Sequence, residues 1–293
     1  LGSGSRGNAT YIGDGITGVL VDCGLSARQI QHRMDLLGLR DAPIDAVLVT
    51  HEHSDHCASA AILERLSERG GGPDLPFYMT VGTAQGMPSR CRPHAVRPIL
   101  AGAPFMVGGL RIEPLSVPHD TIDPVCFTVA SGSTRVGVFT DLGSYNRLLI
   151  RQLASVDIAI LEFNHDVDML LAGPHPWPIK QRVQSDHGHL SNEQAGHMLR
   201  EASVTSSRLK HLVLAHLSQD NNTPDLAFST AEQALFEAGR VGVEIAIAPQ
   251  DEPAAPIRIS RRGHYDRPKP SETPSVPGSQ AEVIPLFPVS SIR

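Results

Sequence analysis

Nothing in this sequence encodes a disulfide framework. Its four cysteines, Cys23, Cys57, Cys91 and Cys126, are scattered, with no C-x-x-C pair. In a chain of 293 residues that excludes both a disulfide-stapled scaffold and a cysteine zinc knuckle. Long hydrophobic runs are missing too: none approaches the roughly 18 to 20 residues needed to span a bilayer. No basic start followed by an apolar stretch and a cleavage site marks the chain for export, so the expectation is a cytoplasmic protein. Positive charge is short as well, with 25 Lys and Arg against 31 Asp and Glu and a net charge of −6. A protein that grips long nucleic acid by neutralising phosphates is usually basic. A large non-specific footprint is therefore disfavoured, while a small catalytic one is not.

What the chain does have is histidine: fourteen residues, against four tyrosines and one tryptophan. Many stand beside Asp, Glu or Asn rather than within apolar stripes, a pattern that suggests metal chemistry. The rest of the composition, 41% hydrophobic and 19% charged, is that of an ordinary globular protein. The expected organisation is one large folded domain over residues 1–250, which could lack a first strand, and a Pro/Ser-rich tail over 251–293 unable to pack a core.

The opening LGSGSRGNA is a glycine-rich turn. Gly2, Gly4 and Gly7 match the dinucleotide pattern G-x-G-x-x-G, but nothing precedes them and a strand rather than a helix follows, so that reading is rejected. Helices are expected at 26–39 (with Ser26 as N-cap), 58–68, 191–201 and from 223 to 238. Strands are expected at 11–12, 18–22, 44–50, 77–80, 105–107, 110–116, 126–130, 135–140, 156–161, 211–216 and 243–248. Many strands with interspersed helices and no βαβ repeat fit a layered α/β sandwich better than a doubly wound sheet.

The strand at 44–50 runs directly into His51-Glu52-His53-Ser54-Asp55-His56. On a chain leaving a strand alternate residues point the same way, so His51 and His53 can share one metal. The turn that follows brings Asp55 and His56 round to a second. Imidazole mixed with carboxylate suits zinc, manganese or iron. The spacing is not that of H-E-x-x-H, whose histidines lie four apart on a helix. Cys57 reads as a helix-packing residue, not a ligand.

Here the sequence resembles the metallo-β-lactamase superfamily, which implies an αβ/βα four-layer sandwich and further ligands at later strand ends. His119, after Val117-Pro118, fits the third ligand of the first metal. Asp141, after Val138-Phe139-Thr140, fits the bridging carboxylate, and His216, after Leu212-Val213-Leu214-Ala215, completes the second site. One departure is Cys57-Ala58-Ser59-Ala60 where the family usually has a glycine.

The strings LGSGSRGNA, VDCGLS, FTDLG, LEFNHDVDML, DHGHLSN and LAHLS-x-x-NN are similar to those of the WalJ (YycJ) family, over residues 1 to about 250. That resemblance implies a 5′→3′ exodeoxyribonuclease with a role in DNA mismatch repair, two divalent ions (zinc or manganese), and DNA 5′ ends as substrate. Asp55 is the candidate for orienting or deprotonating the nucleophile, and His189 is a second catalytic candidate beside an expected helix N-terminus. Candidate substrate contacts are Ser5 and Asn8 in the glycine loop, Asn164, His165, Lys180, Arg182, Ser191 and Asn192. Each has a plainer reading beside it: a tight turn for the loop, an N-cap for Ser191, a solvated stretch for Lys180 and Arg182. His165 reads equally as a substrate contact, a support behind a ligand or a structural hydrogen bonder.

The rival enzymatic reading is ester, thioester or lactone hydrolysis at the same metals; a metal-binding regulator without turnover is the non-enzymatic one. Transfer-RNA 3′-processing is disfavoured because no long flexible arm is evident, and the large β-CASP insertion has no room between Asp141 and His216. In the tail, Gln280-Ala281-Glu282-Val283-Ile284-Pro285-Leu286-Phe287 loosely resembles apolar peptides that dock on the replication sliding clamp, against a plainer reading as a terminus with chance hydrophobics.

Overall fold

Alternation within the strands decides the layering. In β2 (Gly18–Val21) Val19 and Val21 face one way and Leu20 the other, and all three are buried. β3 (Ala46–Leu48) repeats this, with Ala46 and Leu48 on the first face and Val47 on the second. In β8 (Val125–Ser131) Val125, Phe127 and Val129 join the first set, while Cys126 points away. A strand buried on both faces reads as a continuous apolar run, and here it means that two sheets pack face to face with a further layer outside each.

The structure, a computed structural model, describes residues 1–70, 74–204 and 207–259. Before β2 comes β1 (Thr10–Gly13), and beyond β3 come β4 (Phe77–Thr80) and β5 (Val96–Ile99); together they form a five-stranded sheet in the order β1-β2-β3-β4-β5. The second sheet has seven strands: β6 (Phe105–Val107), β7 (Leu110–Ser116), β8, β9 (Thr134–Phe139), β10 (Ile158–Glu162), β11 (His211–Ala215) and β12 (Glu244–Ile247), with β6 and β12 at its edges. The run β6 to β9 is antiparallel and β9 to β12 parallel. Consequently β9, β10 and β11 all end on the same side of the molecule.

Helices cover both outer faces. α1 (Ala27–Leu36) and α3 (Ala60–Arg69) pack on the first sheet, with the helical turn α2 (Ser54–Cys57) between them in sequence and α4 (Val81–Gly86) after β4. α5 (Arg147–Ser155), α8 (Asn192–Val204) and α9 (Pro224–Glu237) pack on the second, and α6 (Val167–Ala172) and α7 (Trp177–Val183) lie between β10 and α8 in sequence. This is the expected αβ/βα sandwich. Local chemistry agrees with the boundaries: Ser26 and Gln29 form a reciprocal capping box at α1, and Thr223 caps α9, where Pro224 occupies the first turn. None of the described helices is long and apolar enough to cross a membrane.

Two expectations need correcting. The helix expected over 58–68 is α3, which starts at Ala60, and a separate turn that was not expected, α2, precedes it, so the second half of HEHSDH is itself helical. β5 and helices α4 to α7 were not expected at all. The glycine-rich opening does lead into a strand, as the rejection of a dinucleotide site required, and Gly2 pairs with Ala9 across it. The peptide 280–287 lies outside the described residues.

Candidate metal centre

Three residues that leave strands adopt positive φ without being glycine: Asp22 (61°) after β2, Asp141 (59°) beyond β9 and His216 (57°) after β11. That left-handed conformation is unfavourable for L-residues and persists where surroundings over-determine it. All three side chains converge on one site, at the ends of the strands.

Two clusters form there. In the first, His51 Nε2 lies 3.1 Å and His119 Nε2 3.3 Å from His53 Nδ1. In the second, His56 Nε2 lies 3.5 Å and His216 Nε2 3.9 Å from Asp55 Oδ2. Asp141 stands between them, with Oδ2 3.3 Å from His56 Nε2 and Oδ1 3.6 Å from His216 Nε2 and 3.9 Å from His119 Nε2. All seven ligands expected from the sequence are thus brought together in groups compact enough to hold cations.

In four of the five histidines the opposite ring nitrogen is anchored, the arrangement that suits a metal-binding imidazole. His51 Nδ1 meets Thr50 Oγ1 at 3.0 Å, His56 Nδ1 meets Asp22 Oδ2 at 2.8 Å, and His119 Nδ1 donates to Gly188 O at 3.0 Å. His216 Nδ1 meets Glu162 Oε1 at 3.1 Å.

The chemistry of the donor set fits divalent cations. Asp141 Oδ2 and His216 Nε2 are buried without a hydrogen-bond partner, a costly state unless something electropositive completes it. Burial alone would discharge His216, yet Asp141, Asp55 and Glu162 hold its pKa up at about 10. Likewise Asp55 would be raised by burial, but the His216 and His56 imidazoles beside its carboxylate hold it well below the usual carboxylate range. The second cluster therefore demands positive charge. Around the first, burial and neighbouring imidazoles push His51 well below its ordinary value, which keeps it neutral and able to ligate.

Asp22 and Glu162 escaped the sequence reading, although each sits inside a quoted motif, VDCGLS and LEFNHD. An acidic residue ending a buried strand was the available signal. Glu162 is fully buried. Besides His216 it binds His189 Nδ1 at 2.8 Å and accepts from Leu142 N at 2.8 Å. His189, 17% exposed in its side chain, lies with its ring 5.1 Å from that of His119 and 5.2 Å from that of His216. It faces both clusters.

Most candidate substrate contacts are buried and hydrogen-bonded within the protein. Asn8 Nδ2 donates to Asp55 Oδ2 at 3.3 Å and lies 2.9 Å from His56 Nε2, so it organises ligands. Asn164 Nδ2 donates to His216 O at 2.9 Å. His165 is 1% exposed. Ser191 caps α8, accepting from Gln194 N and donating to Glu193, and Asn192 exchanges hydrogen bonds with Asn222. Lys180 is buried and donates to Leu171 O and Gly173 O. Only Ser5 and Arg182 remain exposed, and Arg182 pairs with Asp120 beside His119. In the glycine loop Gly4 N donates to Asn8 Oδ1 and Gly7 N to Gly4 O, which closes it as a tight turn.

Comparison with known proteins agrees with this geometry. The profile of the beta-lactamase superfamily domain matches residues 17–216, and the chain belongs to that superfamily of metallo-β-lactamase-fold proteins. The YhfI protein of Bacillus subtilis, a metallo-β-lactamase-fold structure, superposes with a TM-score of 0.63 at 21% identity, over 85% of this chain and 95% of its own. Zinc-bound PqqB from Methylobacterium extorquens gives 0.57 at 20% identity, over 84% and 88%. Within the superfamily the sequence is more specific. It is 34% identical to exodeoxyribonuclease YycJ of Bacillus anthracis over 88% of this chain and 96% of that one. It is 32% identical to exodeoxyribonuclease WalJ of Streptococcus pneumoniae over 84% and 91%. The chain is a member of the WalJ (YycJ) family.

Proposed function

We propose that this protein is a dinuclear metal-dependent phosphodiesterase that removes nucleotides from DNA 5′ ends in the 5′→3′ direction, in the cytoplasm and in the service of DNA repair. The observation that carries the reading is the pair of ligand clusters sharing Asp141, flanked by the His189–Glu162 pair. Relatives of nearly matching length that bear the name exodeoxyribonuclease choose phosphodiesters over the esters, thioesters or lactones that such a centre could also hydrolyse.

Two divalent ions, zinc or manganese, held by His51, His53 and His119 on one side and Asp55, His56 and His216 on the other, with Asp141 common to both, would supply Lewis acidity and lower the pKa of a water. The remaining work falls to the chain. Asp55 is kept ionised, and its side chain is 24% exposed at the open side of the centre. It accepts a hydrogen bond from the attacking water and orients it in line with phosphorus. His189 is held through Nδ1 by Glu162, which leaves Nε2 to give a proton to the departing 3′-oxygen.

The test uses 5′-phosphorylated single- and double-stranded DNA and RNA, with manganese and with zinc. Expected is metal-dependent release of mononucleotides from DNA 5′ ends, abolished by chelator and by Asp55→Ala, and lowered about 10²–10⁴-fold in kcat by His189→Ala. Persistent activity in Asp55→Ala would overturn the mechanism, and turnover of thioesters or lactones alone would overturn the substrate.

A further inference from the structure

The chain contains a single tryptophan, and α7 leaves it in water: Trp177 is 58% exposed, with Ile179 on the same short helix at 45%. Tryptophan combines a large apolar area with a flat π face, and its exposure is informative where its position relates to a site. Here the position is defined by contacts at both ends of α7. Just before the helix, His175 Nε2 lies 3.4 Å from Asp220 Oδ2, four residues past the ligand His216. In its last turn Arg182 pairs with Asp120, which follows the ligand His119, and the charge of Asp55 also acts on Arg182. The helix is therefore strung between the loop behind one cluster and the loop behind the other. Trp177 stands five residues before Arg182, about 8 Å along the helix axis.

The platform is rigid as well. The buried Lys180 ammonium donates to Leu171 O at 2.6 Å and Gly173 O at 2.7 Å, which closes the C-terminal end of α6 and lashes α7 to it. An exposed aromatic face on a helix tied to the loops of a phosphodiester-cleaving centre is an arrangement suited to stacking bases of single strands, where every base offers a π face irrespective of sequence. A protein partner would need a wider apolar surface than one short helix supplies.

We propose that Trp177 is a stacking site for an unpaired base of the substrate strand, close to the scissile phosphate. This rests on the nuclease reading above. The expected loss on Trp177→Ala is a rise in KM for single-stranded DNA of about 5- to 100-fold with little change in kcat, the size of one base–aromatic stack. Trp177→Phe, which keeps a ring, should recover most of it.

The full-length, metal-loaded protein provides its own probe. Titration with 5′-phosphorylated oligothymidylate carrying non-hydrolysable phosphorothioate linkages should shift or quench the emission of the sole tryptophan saturably. Abasic residues placed one at a time near the 5′ end should raise KM at one position in the wild type and have no effect there in Trp177→Ala. Turnover of methyl para-nitrophenyl phosphate, a diester without a base, should be equal in both proteins, which shows that the centre is intact. Equal KM values on DNA with unchanged emission would overturn the stacking site and leave the nuclease standing. Failure of the wild type to cleave DNA while it turns over the small diester would overturn the nuclease reading, and the stacking site with it.

Discussion

Asp22 and Glu162 reach into the centre without being among its expected ligands, and each fixes the unligating nitrogen of a histidine. Such contacts set both tautomer and ring orientation, and their loss typically costs 10- to 100-fold in metal affinity or activity. Glu162→Gln keeps the shape but removes the charge facing His189 and His216. It should weaken metal binding in that range, read by chelator competition, and lower kcat more than Asn164→Ala does; unchanged affinity and kcat would remove Glu162 from the mechanism. His165 behaves differently. It is buried, its Nδ1 has no hydrogen-bond partner, and burial depresses its pKa to about 4 from an ordinary 6.5. The unfolded chain therefore binds a proton that the folded chain refuses between those values, so stability falls as pH drops from about 6.5 towards 4. His165→Gln should flatten that part of the acid-unfolding curve relative to wild type; parallel curves would show that His165 is not the group responsible.

Elements near the centre interlock through their backbones. Asn8 N donates to Asp55 O at 2.7 Å, Cys23 N to His56 O at 2.7 Å, and Ser59 N to Cys23 O at 3.0 Å. The glycine loop, the segment after β2 and the turn α2 thus hold one another. Gly24 marks the closest approach, because a Cβ there would collide with the Asp55 carbonyl. Gly24→Ala should displace α2, destabilise the fold by about 1–3 kcal/mol in denaturant titration, and cut activity through Asp55 and His56. Wild-type stability and turnover in that variant would contradict this packing. The same elements show why legibility varied. α1 and α9 carry capping side chains at the right spacing and were expected within a few residues. By contrast α4, α6 and α7 are short; α7 buries a lysine rather than an apolar stripe, so no periodicity announced it.

For the whole molecule, net charge and sheet packing make the larger claims. With −6 overall and Arg182 the one exposed cation among the residues considered for substrate binding, few phosphates can be neutralised. Each phosphate contributes roughly 0.7 to the slope of log affinity against log salt for single strands. The slope for single-stranded DNA should accordingly be shallow, about −1 to −2; a value near −6 would reveal a large basic footprint. Between the sheets Phe127 is fully buried among Val19, Val21, Leu48 and Val138. Phe127→Ala should cost about 3–5 kcal/mol of stability, and a smaller loss would mean that the two sheets can close over the gap.

The cluster of five histidines with Asp55 and Asp141 and the layered fold were readable in the sequence, because candidate metal-binding groups are written in residue type and spacing locally and strands buried on both faces are written as apolar runs. Which polar residues meet substrate was not readable. Asn8, Asn164, His165, Lys180, Ser191 and Asn192 look alike in a string whether they face solvent or the interior, and only the tertiary structure turned them inward. It also decided that Glu162 stands behind His189 and His216 and that Trp177 lies between the two loops of the centre, since both depend on strands and helices far apart in the chain being brought side by side.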